Sequence, residues 1–487
     1  MNKVNTIGRR SFLRRTTGLA AGAMASGFAA KPPARPNILF LMTDEQRTDS
    51  LGCYGSPWAV SPNLDALARE GVVFRNALTP SPLCTPARCS LLSGLYPSET
   101  GVWSNHNKPT EALPYLTQVF ADAGYRTASF GKQHHNTVNH AFQEQESIVL
   151  TDAVNYFNYA PKYPMERYDV VRYPGPKYKW IFGGRFPEPL ENNAEFKVTS
   201  KVKQWLENAS HDQPFLIQVS FNAPHTPVSV ATPFDTAVPE DTIKLPPEAE
   251  AFPDYAPDSL CALREISRSD RFTPEQIRKL RRYYYGLTSF TDSRFGDLLR
   301  WMRERGLLEN TIVAYVSDHG THLGDFGMFQ KQTFFNPAMN VPYFFWYPNK
   351  IATGRTLDTP VSTVSLMPTL IELAGLDMPE LCRGRSLAEP LQKGVEPESK
   401  PVFSGHSLAS FDLLPGKINL AVREGDWKLS IWQAPCMERR TLVNLADDPH
   451  ERRNRINDPD CADVANRLTG YIEKHLAAGR TPNPEAC

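Results

Sequence analysis

A cysteine, a proline and an arginine at fixed spacing, Cys84-x-Pro86-x-Arg88, form the sharpest chemical motif of the chain. Pro86 fits the first position of a helix, so the spacing predicts that Cys84 lies just before a helix N-terminus. The free amides and the dipole of such a terminus favour an anion, and Arg88 follows one turn later with a fixed positive charge. The pattern indicates a reactive sulfur, although a plain thiol at a helix start has the same short pattern.

Acidic residues follow two apolar segments of the chain. Asp44 and Glu45 come directly after one of them, and Asp318 and His319 come directly after another. Carboxylate oxygens are the ligands that Ca²⁺ and Mg²⁺ require, whereas the imidazole of His319 is an unusual ligand for Ca²⁺. The residue types therefore predict a divalent metal site more firmly than they predict which metal it holds.

Four apolar segments read as buried strands, and each ends near a residue that can do chemistry. The segments are 37–43, 125–130, 215–221 and 311–317, and the residues that follow them include Asp44, Lys132, His225 and Asp318. Continuous apolar runs are typical of strands that are buried on both faces, and ligands bind at the carboxyl ends of strands in open α/β sheets. We expect an α/β fold with a large mixed, mostly parallel sheet sandwiched by helices.

The sequence changes character near residue 375, where a linker-like segment begins. Two strand patterns flank a turn at residues 423–426, which predicts a β-hairpin, and an amphipathic helix pattern over 461–478 closes the chain. We therefore expect a catalytic α/β domain over residues 31–375. A smaller α+β subdomain with an antiparallel sheet would occupy residues 376–487.

Two long segments, 140–210 and 230–272, are rich in proline and aromatic residues and show no clear periodicity. We interpret them as insertions near the site, where specificity usually lies. Aromatic side chains there suit stacking against sugar rings as well as packing in a core, and both readings stay open. The aromatic residues concerned are Tyr156, Phe157, Tyr159, Tyr163, Tyr168, Trp180 and Phe182.

Residues 1–30 resemble an export signal. Arg9 and Arg10 precede a stretch of small apolar residues that is too short to span a bilayer, which is typical of a twin-arginine signal peptide. The pattern predicts the twin-arginine translocase as a partner and a periplasmic or secreted location. No later segment reaches about 18 apolar residues, so we expect no stable membrane insertion.

Composition and charge exclude several classes of protein. Apolar residues make up 41% of the 487 residues and charged residues 22%, which is typical of a globular protein and argues against disorder. Lys+Arg and Asp+Glu number 53 each, and this balance gives no sign of a nucleic-acid partner. Eight cysteines include no Cys-x-x-Cys pair, which excludes a zinc ribbon or a thioredoxin motif.

The motif at Cys84, followed by the sequence SLLSG at residues 90–94, resembles the signature of type I sulfatases in the alkaline phosphatase superfamily. The resemblance covers most of residues 36–375 and continues more weakly into the C-terminal part. In that family a formylglycine-generating enzyme oxidises the cysteine to formylglycine, and the hydrated aldehyde is the nucleophile. The resemblance thus implies the same modification of Cys84 and the same maturation partner.

The resemblance also implies roles for the other candidate residues. The implied ligands of a Ca²⁺ ion, with Mg²⁺ as the second candidate, are Asp44, Glu45, Cys84, Asp318 and His319. The implied catalytic residues are Cys84, Arg88, Lys132, His134, His225 and Lys331. Lysines and Arg88 would neutralise the sulfate, and His225 or Lys331 would protonate the leaving alkoxide. His134 would take a proton from the nucleophile, while Glu45 departs from the Asp or Gln more usual in the family.

Hydrolysis of sulfate esters, on a carbohydrate or another sulfated small molecule, is the activity that the resemblance implies. A phosphonate monoester or phosphodiester hydrolase of the same superfamily is an alternative, because all these substrates present tetrahedral monoanions. A non-catalytic glycan-binding protein would have no reason to keep every candidate residue. A thiol enzyme using Cys84 would need an Asn or Asp that orients its base, and none is recognisable.

Overall fold

Most of the chain after residue 34 is described by the structure, a computed structural model. The described residues are 35–479 except 110–112, 136–141, 150–166, 173–180, 187, 209–212, 247–252, 254, 257, 268–270, 408–416 and 435–438. The predicted signal peptide lies outside them. So do five of the aromatic residues considered for sugar stacking, Tyr156, Phe157, Tyr159, Tyr163 and Trp180.

Strands and helices alternate along much of the described chain. The strands are β1 (Asn37–Thr43), β2 (Val72–Phe74), β3 (Ala77–Leu78), β4 (Arg126–Gly131), β5 (Glu144–Glu146), β6 (Val171–Arg172), β7 (Ile181–Arg185), β8 (Phe215–Ser220), β9 (Val228–Val230), β10 (Thr311–Ser317), β11 (His322–Leu323), β12 (Phe329–Gln330), β13 (Tyr343–Trp346), β14 (Arg355–Leu357), β15 (Val361–Ser362), β16 (Val402–Ser407), β17 (Ile418–Glu424), β18 (Trp427–Ala434) and β19 (Arg439–Asn444). The α-helices are α1 (Pro62–Arg69), α2 (Cys84–Ser93), α3 (Pro97–Thr100), α4 (Leu116–Asp122), α5 (Ala194–Glu207), α6 (Asp258–Ser267), α7 (Pro274–Glu304), α8 (Asn336–Met339), α9 (Leu366–Leu373), α10 (Ala388–Lys393) and α11 (Ala462–Ala478).

A large sheet with the strand order β14-β2-β13-β10-β1-β8-β4-β5 forms the centre of the fold. Strand β13 runs antiparallel to β10 and β2, and the other pairs in this sheet are parallel. A second sheet, β16-β17-β18-β19, is antiparallel throughout. These two sheets confirm the predicted α/β fold and its C-terminal antiparallel sheet.

The central strand β1 shows why its sequence is apolar without interruption. Ile38, Phe40 and Met42 point into the core on one face of the sheet, and Leu39 and Leu41 point into the core on the other. Successive side chains of a strand face opposite sides, so a strand covered on both faces needs an apolar residue at every position. Each fully buried Leu or Phe contributes about 1.5–3 kcal/mol of hydrophobic stabilisation.

The long helix α7 begins at a capping sequence, Thr273-Pro274-Glu275-Gln276. Thr273 caps the helix by accepting a hydrogen bond from the amide of Gln276, and the side chain of Gln276 bonds back to Thr273, which is a capping box. The helix ends at Glu304, just before Gly306. Its buried face packs against β9 and α1. Phe295, Leu298 and Met302 of α7 also belong to the core cluster that contains Leu39 and Leu41 of β1, so α7 covers part of the large sheet.

Two predictions about local structure are wrong. Helix α2 begins at Cys84 itself, two residues earlier than the position of Pro86 suggested. The segments read as irregular insertions contain α5 and α6. Helix α5 buries Val198, Val202 and Leu206 on one face, so an i, i+4, i+8 pattern was present among its polar residues. Among the described residues, no helix is long and apolar enough to cross a membrane.

Glycine at position 131 ends β4 with a φ of 103°, and a Cβ there would lie 1.9 Å from the carbonyl oxygen of Ser220. Gly131→Ala should therefore lower the free energy of unfolding by about 2–4 kcal/mol, because backbone strain and a backbone clash add. Gly124→Ala is the matched control, since Gly124 has a φ of 86° with no atom within 4 Å of its Cβ position. It should cost only about 1 kcal/mol. Urea denaturation measures both, and equal losses would contradict the clash.

Candidate active site

Four neighbouring strands, β10, β1, β8 and β4, end at the same edge of the large sheet. The ladder continues just past three of these ends, where Lys132 N donates to Ser220 O at 2.8 Å and Asp318 N donates to Thr43 O at 3.3 Å. Asp44 N reaches Ala223 O at 3.5 Å. The backbone therefore fixes Asp44, Lys132 and Asp318 side by side, as the sequence predicts for residues at the carboxyl ends of parallel strands.

Helix α2 brings Cys84 to this edge. Leu83 is extended, with φ −146° and ψ 139°, and its carbonyl accepts the first helical bond from Ala87 N. Thr85 N, one of the free amides of the helix start, donates to Asn105 Oδ1 at 3.0 Å. Every residue of α2 is buried. The helix is held rigidly, with Cys84 at its first position rather than in a flexible loop.

The sulfur of Cys84 lies among charged and metal-binding side chains. Its Sγ atom is 3.1 Å from His319 Nε2, 3.8 Å from Asp44 Oδ1 and 3.9 Å from Lys132 Nζ. Burial and Asp44 oppose ionisation of the thiol. Lys132, Lys331 and His319 outweigh them and hold the pKa of Cys84 well below its usual range. The site therefore stabilises an anion at this position.

Four residues offer metal-binding atoms that all lie within 4.8 Å of one another: Asp44, Cys84, Asp318 and His319. Their side chains are buried. Burial and Asp44 raise the pKa of Asp318 to about 6. Burial alone would lower the pKa of His319, but the neighbouring Asp318 raises it to about 9. Two carboxylates packed together away from water need positive charge, so this donor set fits a cation. The two carboxylates of this group suit a hard divalent ion, whereas the thiol and the imidazole are not ligands that such an ion prefers.

Arg88 joins the two acidic ligands. Its Nε donates to Asp318 Oδ2 and its Nη2 donates to Asp44 Oδ2, both at 2.8 Å. Its Nη1 donates to Lys132 O at 3.0 Å and to Ser220 Oγ at 2.9 Å. All three guanidinium nitrogens are thus engaged inside the protein. This differs from the expectation that Arg88 supplies charge directly to the sulfate, because the side chain is 1% exposed and holds the carboxylates instead.

Glu45 lies beside the four-residue donor group rather than in it. Its Oε1 accepts a hydrogen bond from Thr321 Oγ1 at 2.6 Å, and its Oε2 is 2.9 Å from Lys331 Nζ and 3.4 Å from His225 Nε2. Its φ of 65° is left-handed, and its carboxylate forms a second group with Asp44 and His225 whose ligand atoms lie within 4.8 Å of one another. Metal binding by Glu45 stays a prediction, while the structure places both its oxygens on neighbouring side chains.

His225 and Lys331 face the same space from two different loops. His225 Nδ1 is hydrogen-bonded to the carbonyl of Thr226, so Nε2 is the atom directed towards Asp44 and Glu45 at 3.8 and 3.4 Å. Burial opposes the charge on Lys331, but Cys84 and Glu45 raise the pKa of its ammonium group above the usual value. The histidine side chain is 23% exposed, so it borders solvent on the open side of the site.

His134 is the predicted site residue that the structure does not bring into the cluster. Its side chain is exposed, and its backbone has a left-handed φ of 40°. The next residue, His135, is buried. Burial and the nearby Arg88 lower the pKa of His135 to about 4, so it stays neutral near pH 7. Ser220, Thr321 and Asn105 also contact site residues, although nothing in their local sequence marks them.

The arrangement is suited to an ester that carries a negative charge. The ammonium groups of two lysines lie beside the Cys84 sulfur, where an anion is stabilised. The metal-binding side chains lie at the same carboxyl edge of the mostly parallel sheet. Both the fold and this charge pattern fit the alkaline phosphatase superfamily.

Comparisons with known proteins agree with this class. The sulfatase family model matches residues 36–376, and a model of the C-terminal part of N-sulphoglucosamine sulphohydrolase matches residues 324–478. An ulvan-active sulfatase of Formosa agariphila is 31% identical, over 91% of this chain and 82% of its own. A choline-sulfatase of Rhizobium meliloti is also 31% identical, over 87% and 83%. The chain belongs to the sulfatase family and is a sulfuric ester hydrolase.

A solved structure confirms the similarity of fold. The phosphonate monoester hydrolase of Agrobacterium radiobacter superposes with a TM-score of 0.76 and 23% identity, over 91% of this chain and 95% of the other. At this identity the likeness concerns the fold. The family assignment rests on the family models and on the sequence relatives.

Binding of a divalent cation to the four-residue donor group should stabilise the protein. Adding Ca²⁺ or Mg²⁺ to chelator-treated protein should raise its melting temperature, with about 2.7 kcal/mol of stabilisation at an ion concentration of 100 times Kd. Asp318→Asn should lose this response, and Asp297→Asn, a change in a partly exposed carboxylate on α7, should keep it. A wild-type protein whose melting temperature ignores all divalent ions would contradict the metal site.

Proposed function

We propose that this sulfatase is an exported enzyme that removes sulfate from a carbohydrate, using a formylglycine made from Cys84. The single observation that carries the nucleophile is the position of the Cys84 sulfur, within 4 Å of His319, Asp44 and Lys132. Formylglycine would supply a hydrated aldehyde as nucleophile at that position. It would also replace the sulfur by oxygen, which makes the donor group better suited to a hard cation.

Ca²⁺ is the proposed ion, held by Asp44, Asp318, His319 and the modified residue 84. When bound, it would lower the pKa of a hydroxyl group and neutralise charge on the sulfate. Arg88 keeps Asp44 and Asp318 oriented for this purpose through its two 2.8 Å hydrogen bonds. It therefore acts as a positioning residue. Whether Glu45 also binds the ion depends on its release from Lys331.

The other cationic side chains would act on the substrate directly. Lys132, next to the sulfur, would neutralise the sulfate group, and Lys331 would do so from the opposite loop. His225 directs Nε2 into the site and reaches solvent, which suits it to protonate the leaving oxygen. For His134 we keep the proposed role beside the nucleophile, which requires its exposed side chain to turn inward when substrate is bound.

A carbohydrate substrate is supported by two of the comparisons. One relative is named as ulvan-active, and the C-terminal match is to a sulphohydrolase of N-sulphoglucosamine. The equally similar choline-sulfatase makes a small alkyl sulfate the alternative substrate.

Export and maturation partners belong to the same proposal. The paired residues Arg9 and Arg10 support recognition by the twin-arginine translocase and a periplasmic or secreted location. A formylglycine-generating enzyme would modify Cys84 in the same host. The division into a catalytic domain over residues 31–375 and a C-terminal subdomain over 376–487 also stays a proposal.

A mass spectrum of the peptide that contains residue 84 tests the nucleophile. The protein should be produced together with a formylglycine-generating enzyme, and the peptide should then have the mass of the aldehyde or its hydrate. An unmodified thiol in active enzyme would overturn the proposal and revive a thiol mechanism.

Replacement of the nucleophile should abolish turnover without unfolding the protein. Cys84→Ala should lower kcat on 4-nitrophenyl sulfate by more than about 10³-fold while the melting temperature stays close to that of the wild type. Cys89→Ala is the matched control, because Cys89 is buried in the same helix but bonds with Thr100 and Tyr115. That variant should keep its kcat. Near-normal activity of Cys84→Ala would disprove the proposed chemistry.

The same assay separates sulfate from phosphonate hydrolysis. Matched 4-nitrophenyl esters of sulfate and of phenylphosphonate present the same leaving group, so their kcat/KM ratio reports the preference for the transferred group. We expect the sulfate to be the better substrate. A higher kcat/KM on the phosphonate would favour the phosphonate monoester hydrolase alternative.

A further inference from the structure

Glu195, near the start of α5, is a carboxylate that the proposed chemistry does not use. Its side chain is buried, with 0% exposure. Oε1 accepts a hydrogen bond from the backbone amide of Ala223 at 2.9 Å, and the amide of Asn222 also bonds to the carboxylate. Among the described residues, Oε2 has no hydrogen-bond partner. The carboxylate thus accepts hydrogen bonds from two neighbouring amides of one backbone turn.

Such a group costs stability. Burial raises the pKa of Glu195, and an ionised carboxylate away from water is unfavourable by several kcal/mol unless other groups compensate. The described part of the chain shows no ion pair for it. Its compensation comes from the two amides and from the N-terminus of its own helix. Apart from its own amide, the described hydrogen-bond donors to this buried group are two amides of one turn, which points to a role in holding that turn.

The turn that Glu195 holds carries His225. Strand β8 ends at Ser220, and the chain then reverses with His225 N donating to Asn222 O at 2.9 Å. On its other side the turn meets β1, where Ala223 O accepts from Asp44 N at 3.5 Å. The amides of the turn therefore face Glu195, and one of its carbonyls faces Asp44. Together these contacts hold the backbone of the turn that carries His225, and the Nδ1 atom of its ring is hydrogen-bonded to the carbonyl of Thr226.

We propose that Glu195 is a positioning residue that holds the 222–225 turn, so that His225 Nε2 is directed at the leaving oxygen of the ester. This inference rests on the proposed role of His225 as the proton donor. No bond to Glu195 forms or breaks during the reaction. A hydroxyl of the proposed hydrated aldehyde at residue 84 loses its proton and bonds to sulfur, while the bond between sulfur and the leaving oxygen breaks and that oxygen takes a proton from His225 Nε2. His225 then regains a proton from solvent.

A positioning role of this kind has a specific kinetic consequence. A poor leaving group needs its proton during bond cleavage, whereas a good leaving group departs without it. The phenol released from phenyl sulfate has a pKa of about 10. Displacement of His225 should therefore slow hydrolysis of phenyl sulfate more than hydrolysis of 4-nitrophenyl sulfate. A general loss of folded or metal-loaded enzyme would slow hydrolysis of both esters by the same factor.

The experiment compares kcat/KM on these two esters for formylglycine-containing enzyme and its variants. Glu195→Ala should lower kcat/KM for phenyl sulfate about tenfold more than for 4-nitrophenyl sulfate, a part of the full contribution of a general acid. Glu195→Asp withdraws the carboxylate from the turn and should show the same selective loss, which provides a second test if the Ala variant does not fold. Glu195→Gln keeps an acceptor oxygen and should restore most of the activity on phenyl sulfate.

Two further variants complete the test. Glu207→Ala, at the exposed far end of the same helix, should leave kcat/KM on both esters unchanged. His225→Ala should show the selective loss in its largest form. If His225→Ala is selective and neither Glu195→Ala nor Glu195→Asp is, the positioning role of Glu195 is wrong and the proposed function stands. If His225→Ala itself slows both esters equally, the proposed role of His225 as proton donor fails instead.

Discussion

Two buried carboxylates at the ends of neighbouring strands, Asp44 and Asp318, set the constraint on which the rest of the site depends. Like charges about 4 Å apart repel by about 4 kcal/mol at an effective dielectric constant of 20, and burial makes their isolation costlier still. Arg88 relieves the repulsion by donating to both side chains. Because Arg88 belongs to α2, that helix must dock against the sheet edge, and docking carries Cys84 to its place beside the two carboxylates.

The charges of the site are arranged in two groups with different tasks. The first group, with Arg88, Asp44 and Asp318, is closed to solvent and holds the two carboxylates beside the Cys84 sulfur. The second group, with Glu45, Lys331 and His225, borders the open side and contains a histidine that solvent reaches. An arriving sulfate monoanion would compete with Glu45 for the ammonium group of Lys331. Asp44 links the two groups, because its Oδ1 lies 3.8 Å from His225 Nε2.

The sequence predicted those features that depend on contiguous residues. The bounds of β1 and β10 follow from apolar runs that stop at a polar residue, and the meeting of Asp44 with Asp318 follows from parallel pairing. Features that depend on docked geometry escaped prediction. The contact of Glu45 with Lys331 joins residues that are far apart in the sequence, and Glu195 lies 28 residues before Ala223, whose amide it binds. Neither contact leaves a local pattern in the chain.

Burial of helix α2 also limits the order in which the proposed oxidation of Cys84, folding and export can occur. Cys84 is 1% exposed and every residue of its helix is buried in the folded chain, so an enzyme that oxidises this cysteine needs access to it before α2 docks. A translocase of the twin-arginine kind accepts folded cargo. If the proposed oxidation of Cys84 and the proposed twin-arginine export both operate, one order of steps fits this burial: oxidation of the nascent or unfolded chain in the cytoplasm, folding, and then export. Time spent unfolded would be the interval in which the enzyme acquires its chemistry.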